Sequence, residues 1–279
     1  LSTMGSFGSQ TSAVTAGGTP PASSTSEEYN GSGWSAGGTL NTARFSLAGA
    51  GVSSSSGRVF GGSSAPTTMK NENEGYNGTS WSEEGNLTTS RNSLGGAGTK
   101  DAALAFGGGT GPGPSGGSDQ NLSEEWNGSS WSEGNNLNTA RRSLRGAGTQ
   151  TAALAIAGVT TTNSNLTEEY NGASWASGGT VPTGREGMFA WGPQTAAVAA
   201  GGQSPFITTT FTYDGSTWST SPATMGTARQ AGGSAGQTGT AGLAAGGETS
   251  APGRPGATEE FNSTTNTITA AAWASSNNM

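Results

Sequence analysis

A double glycine that follows a short apolar run recurs at nearly regular intervals along the chain. An aromatic residue follows every copy, and successive aromatic residues are 47, 50, 44, 43 and 48 positions apart. A period of this length indicates one small structural unit repeated along the chain, each copy burying its apolar side against its neighbours. The copies of the double glycine are Gly17-Gly18, Gly61-Gly62, Gly107-Gly108, a degraded Ala157-Gly158, Gly201-Gly202 and Gly246-Gly247.

Three further features recur with the same period as the double glycine. In the first five copies a Trp lies five residues after the aromatic residue, and an Arg lies ten or eleven residues after that Trp. Acidic residues precede most of the aromatic residues. The aromatic residues are Tyr29, Tyr76, Trp126, Tyr170, Tyr213 and Phe261; the Trp residues are Trp34, Trp81, Trp131, Trp175 and Trp218; the Arg residues are Arg44, Arg91, Arg141, Arg185 and Arg229; the acids are Glu27-Glu28, Glu72 and Glu74, Glu124-Glu125, Glu168-Glu169 and Glu259-Glu260.

Each unit is predicted to form four short β-strands. The stretches Arg44–Gly51 and Arg91–Gly98 are rich in small residues, whereas Ala102–Phe106, Ala152–Ile156 and Ala196–Ala200 are apolar runs ended by glycines, as is typical of buried strands. An Asn-Gly pair after the aromatic residue favours a tight hairpin turn, because both residues tolerate positive φ. Helices are disfavoured, since each interior glycine costs ~1 kcal/mol and the chain has 50 glycines.

The composition fits many short strands. Hydrophobic residues make up only 30% of the chain, which is close to the composition of disordered proteins. However, eight Trp, eight Phe and four Tyr residues stand largely at regular positions. Disordered chains are poor in aromatic residues, so we expect an all-β fold with small residues packed between sheets. No apolar run approaches the ~20 residues that span a bilayer.

The order of apolar run, double glycine, Tyr, Trp and a Thr-x-Arg step resembles the kelch repeat over essentially the whole chain. This resemblance implies an all-β, six-bladed kelch-like β-propeller of four-stranded antiparallel blades, which we expect to be a single domain spanning residues 1–279. The Thr-x-Arg steps are Thr42-Ala43-Arg44, Thr139-Ala140-Arg141 and Thr227-Ala228-Arg229, with the variants Thr89-Ser90-Arg91 and Thr183-Gly184-Arg185.

The closing blade is predicted from the spacing of the arginines. Each Arg stands 16 or 17 residues before its double glycine, so the Arg that belongs with Gly17 would fall at or just before Leu1. We therefore expect residues 1–18 to supply the inner strands and residues 257–273 the outer strands of one blade split between the termini, with 274–279 as a tail. Such a blade would leave no free sheet edge. In this blade Asn266 stands where the Trp is expected, and an N-terminal Leu1 is typical of a processed product or part of a longer polypeptide.

The residue types present argue against an enzyme. The chain has no His and no Cys, which removes the usual general base, the usual metal ligand and all thiolate chemistry. The stretch Tyr213–Trp218 is similar to a sialidase repeat but is the local copy of the Tyr-Asn-Gly-x-x-Trp unit. A two-carboxylate glycosidase stays open, although most acids here are periodic and an active site should be an exception to the repeat. We predict no catalytic residue, no cofactor and no metal.

The candidate binding surface is a set of loops between the second and third strands. The distance from the second glycine to the aromatic residue varies from 11 to 18 residues, whereas the other spacings are nearly fixed. Variable loops on a rigid scaffold are common binding sites; the alternative is solvated decoration. All six should emerge on one face: Thr19–Ser24, Ser63–Met69, Gly109–Leu122, Val159–Leu166, Gln203–Thr209 and Glu248–Ala257.

Two other features have both a functional and a structural interpretation. The repeated arginines could form a cationic ring that binds an anion, but their repetition in step with Glu favours one ion pair or backbone contact per blade. The Asn-Gly-Ser/Thr triplets at Asn30, Asn77 and Asn127 fit a glycosylation acceptor. The same triplets are explained by the hairpin turn on which they fall.

The near-identical repeats, rich in Ser, Thr, Gly and Asn, are similar to kelch-like proteins encoded by bacteriophages, notably marine ones. This resemblance implies a non-enzymatic virion component of the tail, neck or capsid surface, which contacts other virion proteins or a host glycan and whose oligomeric state is set by assembly. The alternatives are a secreted or surface adhesion propeller of a bacterium and a sugar-binding accessory domain. With a net charge of −7, nucleic acid is not an expected partner, and we expect no membrane insertion.

Overall fold

The chain forms six small antiparallel sheets of four strands each, arranged in a ring around a central channel. This is a six-bladed β-propeller, as the repeat predicted. The computed structural model describes residues 3–18, 21–65, 67–111, 118–203, 205–250 and 256–263, together with the backbone of 272–276. Within these residues no helix is long and apolar enough to cross a membrane.

Each blade is a consecutive stretch of chain that runs from the channel outwards. In blade 2 a two-stranded hairpin, β7–β8, is inserted between the second and third strands. The strands of blades 1 to 3 are β1 (Gly5–Ser9), β2 (Ser12–Ala16), β3 (Ser26–Tyr29), β4 (Trp34–Ala36); β5 (Ala48–Ser53), β6 (Ser56–Phe60), β7 (Ser63–Ala65), β8 (Thr68–Met69), β9 (Asn73–Tyr76), β10 (Trp81–Glu84); β11 (Gly95–Gly98), β12 (Ala103–Phe106), β13 (Ser123–Trp126) and β14 (Trp131–Glu133).

The strands of blades 4 to 6 follow the same plan. They are β15 (Arg145–Thr149), β16 (Ala152–Ile156), β17 (Thr167–Tyr170), β18 (Trp175–Ser177); β19 (Phe189–Trp191), β20 (Val198–Ala200), β21 (Thr209–Tyr213), β22 (Trp218–Thr224); β23 (Gly233–Thr238), β24 (Ala241–Ala245), β25 (Thr258–Asn262) and β26 (Ala272–Ser276). The predicted apolar strands are thus confirmed to within a few residues.

The predicted split of one blade between residues 1–18 and 257–273 is wrong. Strands β1 and β2 pair with β3 and β4 in blade 1, and β23 to β26 form blade 6 by themselves. The number of blades is as predicted, but the boundary between units differs, because six double glycines and six aromatic residues already complete six consecutive units. Residues 274–276, predicted as tail, belong to β26; residues 277–279 lie outside the described residues.

The Trp that was missing from the last repeat is found farther along the chain. In the other blades the aromatic residue of the third strand lies opposite the Trp of the fourth, as Tyr170 does with Trp175. In blade 6 the partner of Phe261 in this register is Trp273. The connection between these two strands is longer than in the other blades, so the spacing of the other repeats falls on Asn266 instead of the Trp.

The apolar core lies between neighbouring blades. One cluster, for example, joins Leu104 and Phe106 of blade 3 to Ala153, Tyr170 and Trp175 of blade 4. Phe106 and Trp175 are in contact, with ring centroids 5.0 Å apart. Each blade therefore buries its aromatic side chains only when its neighbour is present, as expected for a repeat architecture.

Glycine allows the six inner strands to approach one another around the channel. A Cβ atom added to Gly146 of β15 would lie 2.1 Å from the carbonyl oxygen of Gly96 in β11. The same position carries Ser6 in β1 and Ser234 in β23, where the Ser6 hydroxyl donates to the Ser234 carbonyl at 3.0 Å and accepts from the Ser234 N–H at 2.9 Å. These contacts join the first and last blades.

A closed ring of six backbone hydrogen bonds encircles one end of the channel. One residue just before the inner strand of each blade has positive φ, between 52° and 64°. Its N–H donates to the carbonyl of the corresponding residue in the preceding blade, and the first blade donates to the last, at N···O distances of 2.5 to 3.2 Å. The members of this ring are Thr3, Ser46, Ser93, Ser143, Gly187 and Ala231.

Candidate functional site

The repeated arginines lie inside the fold. Arg141, for example, is fully buried, and its Nη1 atom donates to the carbonyls of Ala157 and Leu166 at 2.8 and 2.9 Å. Its Nη2 atom forms an ion pair of 2.9 Å with Glu168, whose side chain is also buried. The arginine therefore holds the start of one blade to its second and third strands.

The same arrangement recurs in three other blades. Arg44 pairs with Glu74, Arg91 with Glu124 and Arg229 with Glu259, at 2.7 to 2.8 Å. Burial lowers the pKa of each of these arginines, and the partner carboxylate opposes that shift. The structural interpretation of the repeated Arg and Glu is confirmed for these four arginines, which are not available to an anion from solution.

Two blades break this pattern. Arg185 is buried and donates to the carbonyl of Pro205 at 2.7 Å, but Phe211 stands where the other blades have the Glu. In blade 1 the repeat has the acid Glu27 but no Arg, and the Oε2 atom of Glu27 is buried without a hydrogen-bond partner among the described residues. In every other blade an Arg stands two residues before the member of the hydrogen-bonded ring. In blade 1 that ring member is Thr3, and the residue two positions before it is Leu1.

The second acid of each pair bonds to the tyrosine of the next blade. Tyr29 donates its hydroxyl to Glu260 at 2.7 Å, and the same bond joins Tyr76 to Glu28, Tyr170 to Glu125 and Tyr213 to Glu169. Burial, followed by the hydrogen bond to the carboxylate, raises the pKa of Tyr213 to about 12 and also raises that of Tyr76 and Tyr170.

This acid is absent wherever the next blade has no tyrosine. Blade 3 has Trp126 in place of the tyrosine, and the preceding blade has Gly75 in place of the second acid. Blade 6 has Phe261 in place of the tyrosine, and the preceding blade has Thr212 in place of the second acid. Beside Trp126 the guanidinium of Arg58 lies 4.0 Å from the ring centroid and pairs with Glu84 at 3.0 Å. Sequence reasoning missed these contacts between blades, although aligning the repeats would have shown that Glu and Tyr vary together.

The variable loops lie on one face of the ring, called here the loop face. Strands alternate in direction within a blade, so the connections from second to third strand share this face with the segments that enter each blade. The described parts of the loops bridge to those segments; Asn92 and Gly109, for example, exchange two backbone hydrogen bonds of 2.9 and 3.0 Å. Parts of the predicted loops, including 112–117, fall outside the described residues.

The Asn-Gly turns lie on the opposite face, called here the hairpin face. The side chain of Asn127 is exposed, and its Oδ1 atom accepts the N–H groups of Ser129 and Ser130 at 2.9 and 3.0 Å. Gly128 has a φ of 96°. The turn thus accounts for the Asn-Gly-Ser triplet, since Asn supports the turn and Gly adopts the left-handed conformation.

The central channel has a volume of about 140 Å³ and is lined by the inner strands of all six blades. Its lining is mainly Gly, Ala and Ser, and Met4, Leu47, Leu94 and Leu144 narrow it beside the hydrogen-bonded ring at the loop face. Arg145 is the one charged residue that lines it in the described part of the chain. Those residues also contain no group of three or more acids that could hold a metal ion.

The comparisons with known proteins bear on the fold. No protein-family model and no curated protein sequence matches the chain. The solved structure of YjhT is similar, with a TM-score of 0.76 and 14% sequence identity over 97% of each chain. At this identity the likeness concerns architecture alone. The chain is therefore a six-bladed β-propeller, and its function has to be argued from its own surfaces.

Proposed function

We propose that this propeller is a non-enzymatic binding and structural protein that docks through its loop face. The observation that carries this proposal is the use of the repeated charged groups inside the fold. The Arg–Glu pairs stabilise individual blades and the Tyr–Glu bonds join neighbouring blades, so these acids are poor candidates for acid–base catalysis. Variation between blades is concentrated in the loops, which is where a rigid scaffold usually carries recognition.

The partner that we propose is another protein of a virion or a glycan of the host surface. This part rests on the resemblance of the repeats to kelch-like bacteriophage proteins, and the localisation that follows is the virion. The second candidate is an adhesion propeller on a bacterial surface, for which the exposed hydroxyl-rich loops would serve equally well. Genes for portal, capsid or tail proteins beside this gene would favour the first candidate, whereas an encoded signal peptide would favour the second.

Matched charge substitutions test which face docks. Thr68 and Thr161 are exposed on the loop face, and Thr79 and Ser130 are exposed on the hairpin face. We expect the T68E/T161E variant to lose binding to an array of bacterial surface glycans or to host cells, because buried unpaired charge weakens an interface. The T79E/S130E variant adds the same charge and should bind like the parent. Loss of binding only in the hairpin-face variant would contradict the proposal.

A further inference from the structure

Arg145 is the charged exception to the repeat. It occupies the first position of the inner strand in blade 4, where it pairs in register with Ile156. The corresponding residues are small in four other blades and aromatic in one: Gly5, Ala48, Gly95, Gly233 and Phe189. A charged side chain at this position therefore serves no requirement that the blades share.

The side chain of Arg145 lies at the narrow end of the channel. Its Nε atom donates to the carbonyl of Met188 in blade 5 at 2.5 Å, and Nη2 donates to Gly232 in blade 6 at 3.3 Å. Arg145 lines both the main channel and the small recess beside the hydrogen-bonded ring at the loop face. The Nη1 atom donates to no described residue and is not among the buried polar atoms without a partner, so it retains exposed surface in a residue that lines the channel.

No carboxylate among the described residues compensates this charge. Among the described residues that line the channel there is no Asp or Glu, in contrast with Arg141, which has Glu168. Burial lowers the pKa of Arg145 to about 10, and no acid opposes that shift. The guanidinium still carries its charge at neutral pH. A partly desolvated cation that faces a polar cavity is most stable when an anion lies beside it.

We propose that the channel binds a small monovalent anion, a halide or a small carboxylate, at the Nη1 atom of Arg145. The volume of about 140 Å³ accommodates an ion or molecule of this size, whereas larger polyanions would not fit. The Gly and Ala walls add no negative charge to oppose its entry.

Crystals of the unaltered protein soaked in bromide provide the direct test. We expect an anomalous peak in the channel within ~3.5 Å of Nη1, the upper range of a charge-assisted hydrogen bond. A second crystal that is soaked in acetate before bromide distinguishes a carboxylate site from a halide site. Loss of the bromide peak in this crystal would assign the site to carboxylates, and a bromide peak that remains would assign it to halides. A channel without a bromide peak beside Arg145 would overturn the proposal, and this outcome does not depend on any variant folding.

Calorimetric titration with bromide tests the role of the guanidinium. Arg145→Met removes the charge and keeps a long side chain, and Lys100→Met removes the same charge outside the channel lining. We expect R145M to bind bromide with a Kd at least about tenfold higher than that of the parent. K100M should bind bromide with the affinity of the parent. Equal affinity in the parent and R145M would contradict the assignment. The channel site is independent of loop-face docking, which R145M should leave intact.

Discussion

At the residue scale, four blades bury a guanidinium and a carboxylate together. The desolvation of two charges is offset only when both remain paired and hydrogen-bonded. In the Arg141 site two carbonyls accept from Nη1 and Glu168 accepts from Nη2, while the Nε atom is buried without a hydrogen-bond partner among the described residues. The consequence is asymmetric: the pair adds modest net stability, whereas the loss of one partner leaves an uncompensated buried charge.

Glu168→Gln should therefore lower the free energy of unfolding by about 3–5 kcal/mol, the usual cost of breaking a buried pair. Glu133 is exposed in β14, the outer strand of the preceding blade, and Glu133→Gln should change stability by no more than about 0.5 kcal/mol. Equilibrium urea unfolding of both variants checks this prediction. Similar midpoints for E168Q and E133Q would show that the buried pair carries no special weight.

Glu27 offers the converse experiment, because its carboxylate lacks the arginine that the other blades supply. Leu1→Arg places a guanidinium at the corresponding position of the repeat. We expect a gain of about 1.5–3 kcal/mol, the range for hydrogen bonds to charged groups. Thermal or urea unfolding measures the gain, and the same substitution in a Glu27→Gln background should have no effect. A gain that persists without Glu27 would point to a different cause.

At the scale of the element, the third strands of neighbouring blades are linked by Tyr–Glu bonds near the blade surface. Folding raises the pKa of Tyr213 to about 12, while an unfolded tyrosine titrates near ~10. Stability from this group is therefore fully present below pH ~10 and is lost as the pH rises toward the folded value, because the unfolded state releases its proton first.

The expected result is an alkaline decline of the free energy of unfolding that begins near pH ~10. Tyr213→Phe removes one titrating group, so its decline should be shallower than that of the parent. Glu169→Gln removes the charge that helps to hold the tyrosine proton and should bring the onset of tyrosinate absorbance in the folded protein to lower pH. Stability is compared from about pH 8 to about pH 11, a range that surrounds the tyrosine reference pKa of about 10. Parallel curves for the parent and Y213F over this range would contradict this account.

The sequence predicted the strands of each unit well, because glycine, Asn-Gly and the apolar runs act locally. The apolar run before Gly107 and the turn at Asn127 determine their conformation within a few residues. The Tyr–Glu bonds were missed because they join residues more than 40 positions apart, as in Tyr170 and Glu125. Arg145 was missed for another reason: its environment is the channel, which exists only once six inner strands have come together.

At the scale of the whole molecule, closure depends on contacts between complete blades. Blades 1 and 6 meet through Ser6 and Ser234, through Tyr29 and Glu260, and through Trp34, whose indole donates to Thr258 at 2.9 Å. These contacts are of the same kind as those between other neighbours. The prediction of a split blade assumed that closure needs strand pairing between the termini, and the structure achieves it with side chains and backbone ring bonds.

Ser6→Ala should weaken the contact between blades 1 and 6. The substitution leaves the part-buried Ser234 N–H without its acceptor at 2.9 Å; the cost is below the value of about 3 kcal/mol that marks the upper end for a fully buried donor. We expect faster hydrogen exchange in β1 and β23 than in the other inner strands. Ser82→Ala, at an exposed position, is the control. Uniform acceleration in all six blades would instead indicate that the ring opens only as a whole.

The ring of hydrogen bonds at the loop face has no terminus. A helix or a strand ends in peptide groups that need capping or water, whereas the six bonds from Thr3 to Ala231 run head to tail and return to their start. Their in-plane peptide dipoles cancel around the circle, so this layer presents no pole to an approaching ion. Formal charge in the channel lining is then supplied by a side chain, and Arg145 is the one charged lining residue among those described.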